Sequence, residues 1–546
     1  MIPPPPPVIR RQVNHDRTAP KQVDPDPMNA LVRAATLCVR ILSIAFALVV
    51  VLLVLLFARS VRGADLPATL ERLPGPAEWT GWAIADQAQL SETDRPFQRY
   101  LAIPAWGNER WLPALNFTVN TAVSHAQTLH LGTPIANGWM VRYDLRRLVP
   151  NAAKLTQTIR TWDELAKQDP YLHVPASNVD LGVAIVSPVI PPEHAATLNN
   201  LSLSVGAVYR ADWFMVKALS TLNGGAYYDF RQVIRKPEKG SALDAWLSQR
   251  GVFVGTTQQV GGERRAAMFR SGVTGKARRV DLFPTLAGGL GSITRDIKDG
   301  NIEAGSHPLR NLLRFQDDGS EIIVAQPNGL HDYLLANAAG DIVDEAPPEL
   351  VRDHTIPPPH TARLQPARSC ISCHATETSD GWQPVRNDVQ ALLKSNLNVF
   401  ADLSEIGISR DEALDKLAGF YALDVENADG LIGRARRDYS AAVYRCAAGI
   451  RFDESKSVVA QVGQLVTSII HDYDYAEVTP GRAALELGYR PAKDYQGDVL
   501  ADVLGPIDPT IEADPVVGFL RIGVAVNRSD FETVFGDMAT MAKGRK

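Results

Sequence analysis

The stretch PARSCISCHATETS, around residue 370, constrains this chain more than any other feature. The chain has four cysteines in 546 residues, and two of them, Cys370 and Cys373, stand three positions apart with His374 directly after the second. The fold must therefore bring two thiols and an imidazole around one site. Cys-x-x-Cys-His is the attachment pattern of c-type haem, in which both thiols bond haem vinyl groups and the histidine binds the iron. We predict one covalently bound haem c, with His374 as the metal ligand.

Two other uses of the cysteine pair stay open at this stage. A thioredoxin-like dithiol follows a strand and opens a helix, whereas the segment before Cys370 reads IPPPHTARLQPAR and is proline-rich. A structural zinc site could combine the pair with His354 or His360, although the sequence holds no second Cys-x-x-Cys. Metal analysis of the purified protein would distinguish zinc from haem iron.

The N-terminal region predicts export. Residues 1–33 are proline-rich and basic, which indicates a disordered cytoplasmic tail. Residues 41–58 are uncharged and rich in leucine and valine, and with residues 34–39 they are long enough to span a bilayer. The basic tail favours an anchor in the bacterial inner membrane with the bulk of the chain in the periplasm. The alternative is a cleaved signal peptide, whose apolar region is usually shorter.

The composition excludes one class of partner. The hydrophobic fraction is 45%, enough for a core, and the net charge is −5. No basic surface for nucleic acid is therefore expected. The inner membrane and an unknown redox partner are the predicted partners.

The sequence does not single out the second iron ligand. Methionine, a second histidine or an open position are all compatible with the motif. The candidates are Met538, Met541, His471, His354, His360 and His331. Met538 and Met541 belong to a helical apolar stripe, which favours core packing. Three arginines are candidates to meet the haem propionates: Arg363, Arg368 and Arg386.

The rest of the chain predicts an α+β fold. Residues 178–190 and 203–216 read as a strand and as a strand running into a helix, and residues 321–346 read as a meander with turns at Asn328-Gly329 and Gly340-Asp341. From about residue 384 the apolar spacing becomes helical, as at residues 462–470. No catalytic set is apparent. The predicted organisation is a tail (1–33), a transmembrane anchor (34–58), a linker (59–96), a mixed α+β domain (97–345), a haem-attachment segment (346–384) and a helical C-terminal region (385–546).

Several blocks in a fixed order resemble a family of large exported bacterial proteins known as cytochrome c domain-containing proteins. The blocks before the motif are RYLAI (99–103), VRYDLRRL (141–148), YRADWF (209–214), SGVT (271–274), QPNGL (326–330) and APPELVRD (346–353), and AALELGY (483–489) follows it. The resemblance covers about residues 97–490 and implies covalent haem and electron transfer, with only Cys370, Cys373 and His374 carried over as functional residues. It implies no particular reaction.

These observations together predict a membrane-anchored periplasmic monohaem c-type cytochrome that transfers electrons. A haem enzyme, or a redox or gas sensor with an open iron position, is the first alternative, because a simple carrier needs only about a hundred residues. A structural zinc scaffold is the second.

Overall fold

The computed structural model describes residues 70–172, 207–252, 263–299, 307–389, 409–421 and 425–543, together with 191, 193–194 and 196–197. Within these ranges, positions 273, 287, 313–314, 448, 494, 496, 506–510 and 512 are not described. The described residues all belong to one unit, residues 65–546.

Eleven strands lie in the described part of the chain and form three sheets. They are β1 (Leu70–Arg72), β2 (Gln98–Ala102), β3 (Thr133–Ile135), β4 (Met140–Asp144), β5 (Val208–Arg210), β6 (Arg264–Met268), β7 (Arg278–Pro284), β8 (Leu290–Asp296), β9 (Gly319–Ala325), β10 (His331–Asn337) and β11 (Tyr489–Pro491). Strands β6 to β10 form an antiparallel sheet in sequence order. A four-stranded sheet has the order β3-β4-β2-β5, with β2 and β5 parallel, and β1 pairs with β11.

Fifteen α-helices lie in the described part of the chain. They are α1 (Pro76–Gln87), α2 (Trp111–Ala122), α3 (Leu145–Leu148), α4 (Ala152–Ala166), α5 (Ala211–Leu219), α6 (Tyr227–Phe230), α7 (Ala242–Gln249), α8 (Arg368–His374), α9 (Arg410–Phe420), α10 (Val425–Cys446), α11 (Val458–Asp474), α12 (Pro480–Glu486), α13 (Val499–Leu504), α14 (Pro515–Arg521) and α15 (Arg528–Lys543).

Helix α11 shows why the C-terminal helices join the sheets in one body. Its N-cap Ser457 accepts a hydrogen bond from the Ala460 backbone, and Val462, Val466 and Ile469 bury one apolar face. That face packs against α2, α5, α8 and α10, so elements far apart in sequence share one core. Burying such a stripe stabilises the helix more than its intrinsic propensity does.

A buried ion cluster ties the C-terminal helices to the four-stranded sheet. The carboxylate of Glu486 on α12 accepts hydrogen bonds from Arg210 at 2.7 Å, Arg528 at 2.8 Å and Arg482 at 2.9 Å. Arg210 ends β5, and its Nε also donates to Asp212 at 2.7 Å. Buried charges are tolerated when they are paired in this way, and removing one partner is strongly destabilising.

The predicted fold class is wrong as stated. It placed an α+β region, a haem segment and a helical C-terminal region in succession after a transmembrane helix. The structure instead mixes helices and sheets within one body, because the apolar faces of the C-terminal helices are covered by earlier elements and β11 pairs with β1. Within the described ranges, no helix combines the length and the apolar character needed to cross a membrane. The predicted span, residues 34–58, lies outside those ranges.

Several local predictions are confirmed. Residues 319–337 form β9 and β10 with a turn at Asn328-Gly329, and a bridge from Ala336 to Ile342 follows the turn at Gly340. Residues 208–219 form a strand followed by a helix, and residues 458–474 form α11. The strand predicted at 178–190 lies outside the described residues.

Candidate functional site

Helix α8 carries the whole Cys-x-x-Cys-His sequence and is fixed from both ends. Before it, Ala367 has a positive φ of 58°, which turns the chain sharply into the helix. Along it, Arg368 forms an ion pair with Asp474 at the end of α11. After it, Ala375 packs directly on Gly463 of α11, where a Cβ atom would collide with the Ala375 side chain. The helix is therefore held against α11, and its remaining side chains are free to face the large sheet.

Cys370, Cys373 and His374 all line one cavity between α8 and the β6–β10 sheet. The cavity itself has a volume of about 110 Å³, and the surrounding space that opens to solvent brings the total to about 840 Å³. The predicted site residues are thus brought together around one cavity that is open to solvent.

The floor of the cavity follows from strand register. Val280, Thr294 and Glu321 lie opposite one another across β7, β8 and β9. The next row is Leu282, Ser292 and Ile323. Directly opposed residues share a face of an antiparallel sheet, so both rows point toward α8 and line the cavity. The floor therefore combines branched apolar side chains with two hydroxyls and one carboxylate.

The proton on His374 is placed by its backbone partner. Nδ1 lies 3.0 Å from the carbonyl oxygen of Gly381, and because a carbonyl only accepts, Nδ1 must carry the hydrogen. The lone pair is then on Nε2. Burial lowers the pKa of His374, which favours this neutral form. A neutral imidazole with Nε2 free is the state that binds a metal.

The loop that returns from His374 to Gly381 is tightly closed. The Gly381 amide donates to the His374 carbonyl at 2.9 Å, and the Ser379 hydroxyl also donates to that carbonyl. Gly381 has a φ of +89°, and a Cβ atom there would lie 2.8 Å from Cε1 of His331 and would overlap the ring of Tyr439. Glycine is required at this position by both conformation and space.

The two thiols of the motif are not joined in a disulfide, and burial disfavours their thiolate forms. Cys370 and Cys373 are free cysteines. Burial raises the pKa of Cys373 to about 11 and that of Cys370 well above its ordinary value. A reactive dithiol of the thioredoxin type needs a lowered thiol pKa, and between residues 343 and 367 the described chain has no strand leading into α8. The dithiol alternative therefore gains no support.

No zinc-ligand set surrounds the pair in the part of the chain that the structure describes. Among those residues, no group of three or more histidine, cysteine, aspartate or glutamate side chains could hold a metal ion. His354 is exposed, and the ring of His360 lies against Tyr475, 4.7 Å between centroids. The zinc alternative is left without a third ligand here.

The candidates that the sequence offered for the second iron ligand lie outside the cavity wall. Met538 is fully buried in the core, and Met541 packs partly buried beside it. His471 is half-buried, with its ring 5.2 Å from Tyr475. His331 is buried behind Trp382, 4.6 Å between ring centroids, and it stacks on Tyr439 at 4.0 Å. Burial lowers the pKa of His331 well below its usual value, and its Nε2 has no hydrogen-bond partner.

The three arginines that the sequence offered as candidates for the haem propionates are engaged elsewhere, Arg368 with Asp474 on α11. Arg363 pairs with Glu345 on the surface, and Arg386 pairs with Asp388. The arginine in the cavity wall is Arg278 of β7, whose Nε donates to Asp296 at 2.9 Å. Sequence analysis did not single out Arg278, because an arginine on a strand carries no signal of which face it occupies.

Sequence analysis also missed three more residues of the wall. Met268 and Glu321 lie on strands, and Trp382 lies eight residues after His374. Strand alternation assigns Met268, Arg278 and Glu321 to sheet faces, but only the tertiary fold shows that α8 packs over that face.

A second, larger cavity lies on the other side of Trp382. Its volume is about 1,800 Å³ with its open mouth included, and its wall contains both Trp382 and His331. The polar part of its wall includes Asp380, Asp438 and Ser457. Trp382 is thus a lining residue of both cavities.

No protein-family model, curated protein or solved structure matches this chain.

Proposed function

We propose that this protein is a monohaem c-type cytochrome that transfers electrons, with haem c bound through Cys370 and Cys373 and the iron bound by His374. The observation that carries the proposal is the proton placement on His374. Its Nδ1 donates to Gly381, so Nε2 presents a lone pair in the cavity wall that also contains both thiols. The sequence motif and the local geometry agree on the same three residues.

The side chains that line the cavity are chemically suited to bind haem. Cys370 and Cys373 would hold haem through thioether bonds to its two vinyl groups, with each thiol hydrogen passing to the vinyl carbon that is not bonded to sulfur. Such addition would need no oxidant and would require free thiols, and the two cysteines are not joined in a disulfide. Val280, Leu282 and Ile323 supply apolar contacts for the ring, and Arg278 supplies a cation for a carboxylate at its edge.

Haem supplies one-electron chemistry through its iron, and the chain determines how that iron behaves. His374 is oriented by Gly381, the helix α8 is held on α11, and the sheet excludes water from one side of the cavity. We place attachment on the outer side of the bacterial inner membrane, where the maturation of c-type haem takes place. The redox partner is unknown, and the net charge of −5 offers no nucleic-acid surface.

One observation favours a second function. The larger cavity beyond Trp382 is of a size to admit a small polar molecule close to the haem site. A haem enzyme or a redox or gas sensor would use such a space, and it would also explain a chain several times longer than a carrier needs. Binding of carbon monoxide to the reduced protein separates this function from simple electron transfer, because a tightly six-coordinate iron excludes it.

The experiment that tests the proposal is the Cys370→Ser/Cys373→Ser double variant. The full chain is produced together with a cytochrome c maturation system and run on a denaturing gel stained for haem. The wild type should keep the stain and the double variant should lose it, while Cys446→Ser, which changes the buried cysteine of α10, should keep it. Haem that remains attached in the double variant, or zinc without iron in the purified wild type, would contradict the proposal.

A further inference from the structure

Among the described residues of the cavity wall, Met268 is the one soft ligand apart from the motif cysteines. Besides Cys370, Cys373 and His374, the wall contains aliphatic, hydroxyl, amide, charged and indole side chains, with Met268 as its thioether. Thioether sulfur is a ligand of c-type haem iron, and its use with histidine raises the reduction potential.

The sheet directs Met268 toward the motif. Met268 ends β6 and lies opposite Arg278 of β7, and both line the cavity. Its neighbour Ala267 faces the other side of the sheet, where it is fully buried in a separate apolar cluster. The alternation of a strand therefore fixes the face on which the Met268 side chain stands.

The chain that follows the motif clamps the backbone on both sides of Met268. The Asp388 amide donates to the Ala267 carbonyl at 2.9 Å, and the Asp388 carboxylate accepts from the Phe269 amide at 2.7 Å. Asp388 is itself held by Arg386 at 2.9 Å. Thus the segment that leaves His374 and passes Trp382 also sets the position of β6. One stretch of chain therefore both carries His374, the first ligand, and contacts strand β6, which carries Met268.

The Met268 side chain has enough conformational freedom to move its sulfur toward a bound iron. It is partly buried, packed beside the main core rather than enclosed by it. Methionine is unbranched, with three rotatable bonds, so its sulfur can adjust to a bound group. Met538, by contrast, is fully buried on α15, and α15 does not line this cavity.

We propose that Met268 would be the second protein ligand of the haem iron, holding it through its thioether sulfur together with His374. This inference rests on the proposed function, since it requires haem attached at Cys370 and Cys373. It makes the protein a histidine–methionine cytochrome with a closed iron site, and so favours the electron carrier over the enzyme or sensor.

The test uses the full-length Met268→Leu variant, because leucine keeps the volume and the apolar surface without the sulfur. The matched control is Met541→Leu, which changes a partly buried methionine outside the cavity. Both proteins are matured with haem and checked on a haem-stained denaturing gel. The readouts are the long-wavelength charge-transfer band of methionine-ligated ferric haem, carbon monoxide binding to the reduced form, and the reduction potential.

The wild type and Met541→Leu should show the charge-transfer band and bind no carbon monoxide within minutes. Met268→Leu should lose the band, bind carbon monoxide stoichiometrically and have a lower reduction potential, with haem still attached. A wild type that carries covalent haem but binds carbon monoxide as readily as Met268→Leu would overturn the assignment. An unchanged band in Met268→Leu would overturn it equally. Absence of covalent haem from the wild type would instead refute the proposed function.

Discussion

The imidazole of His374 donates its Nδ1 hydrogen to the carbonyl oxygen of Gly381, 3.0 Å away, on a loop that returns over the end of α8. This contact fixes both the tautomer and the plane of the ring. The same glycine packs against His331 and Tyr439, which are buried behind it. The orientation of the predicted iron ligand is therefore determined by packing seven residues further along the chain, and not by the helix alone.

We predict that Gly381→Ala disturbs both the fold and the haem. The added Cβ would lie 2.8 Å from Cε1 of His331 and would overlap the Tyr439 ring, at a φ of +89° that alanine rarely adopts. The free energy of unfolding, measured in urea, should fall by about 1–3 kcal/mol. The reduction potential of the haem-loaded protein should also shift, because the Gly381 carbonyl moves away from His374.

Gly272→Ala is the matched control for this change. A Cβ atom at Gly272 meets nothing within 4 Å, and its φ is not in the left-handed region. Its unfolding free energy and potential should match those of the wild type. If Gly381→Ala is as stable as Gly272→Ala, the packing around the His374 partner is looser than the structure shows.

Glu321 gives a prediction about the haem potential. Its carboxylate lies on the cavity floor beside Thr294, and it acts electrostatically on Cys370, Cys373 and His374. A negative charge near the iron stabilises the ferric state more than the ferrous state. Glu321→Gln should therefore raise the reduction potential, by about 30–60 mV if the charge contributes about 0.7–1.4 kcal/mol.

The potential is measured by spectroelectrochemical titration of the purified haem protein. Glu349→Gln serves as control, since Glu349 is 59% exposed and outside the cavity, and it should leave the potential within a few millivolts of the wild type. A potential that is unchanged or lower in Glu321→Gln would contradict the placement of the haem iron beside this carboxylate.

The sequence was sufficient to locate the motif and several local elements. The spacing of Cys-x-x-Cys-His singled out Cys370, Cys373 and His374, and the structure brings these three residues to one cavity, while their role in binding haem stays a prediction. The turn at Asn328-Gly329 and the periodicity of residues 462–470 were also readable, because they depend on nearby residues.

The sequence could not predict what faces the motif. Met268 precedes Cys370 by about a hundred residues, and no local pattern connects them. The sheet face follows from register, but the choice of that face for α8 depends on how α8 packs against α11. The fold class failed for a related reason. An apolar helix face such as that of α11 indicates a buried surface without indicating which element covers it.

Tyr227 gives a prediction about the edge of the large sheet. Strand β10 is an edge strand, and the Tyr333 amide on its open side donates to the Tyr227 hydroxyl at 2.9 Å. Tyr227→Phe keeps the ring but leaves that buried amide without an acceptor, so the free energy of unfolding should fall by about 1–3 kcal/mol. Tyr444→Phe, at a side chain that is 69% exposed, should change it by less than about 0.5 kcal/mol. Equal stabilities of the two variants in urea would show that another group or water replaces the hydroxyl.

The Glu486 cluster predicts a specific acid sensitivity. Burial alone would raise the pKa of Glu486, but Arg210, Arg528 and Arg482 lower it to about 2. Since the pKa in the folded state is below that in the unfolded state, the stabilisation is complete above the unfolded pKa near 4.5. It is lost as the pH falls from there through about 2. The linked contribution is about 3 kcal/mol. Asp332, whose burial is similarly outweighed by Arg231 and Arg250, has a pKa of about 2 and adds to the same window.

The variant Glu486→Gln separates this cluster from the rest of the protein. At pH 7 it leaves three buried or partly buried arginines without their carboxylate, so the free energy of unfolding should fall by about 3–5 kcal/mol. The stability of Glu486→Gln should then decline less steeply than that of the wild type between pH 4.5 and 3, because only Asp332 and other carboxylates still contribute to the acid sensitivity.

Asp472→Asn is the control, because Asp472 pairs with the same Arg482 but is 49% exposed. That variant should lose less than about 1 kcal/mol and keep the full acid slope. Urea unfolding at each pH measures both quantities, and equal slopes in Glu486→Gln and the wild type would show that Glu486 does not titrate in this range.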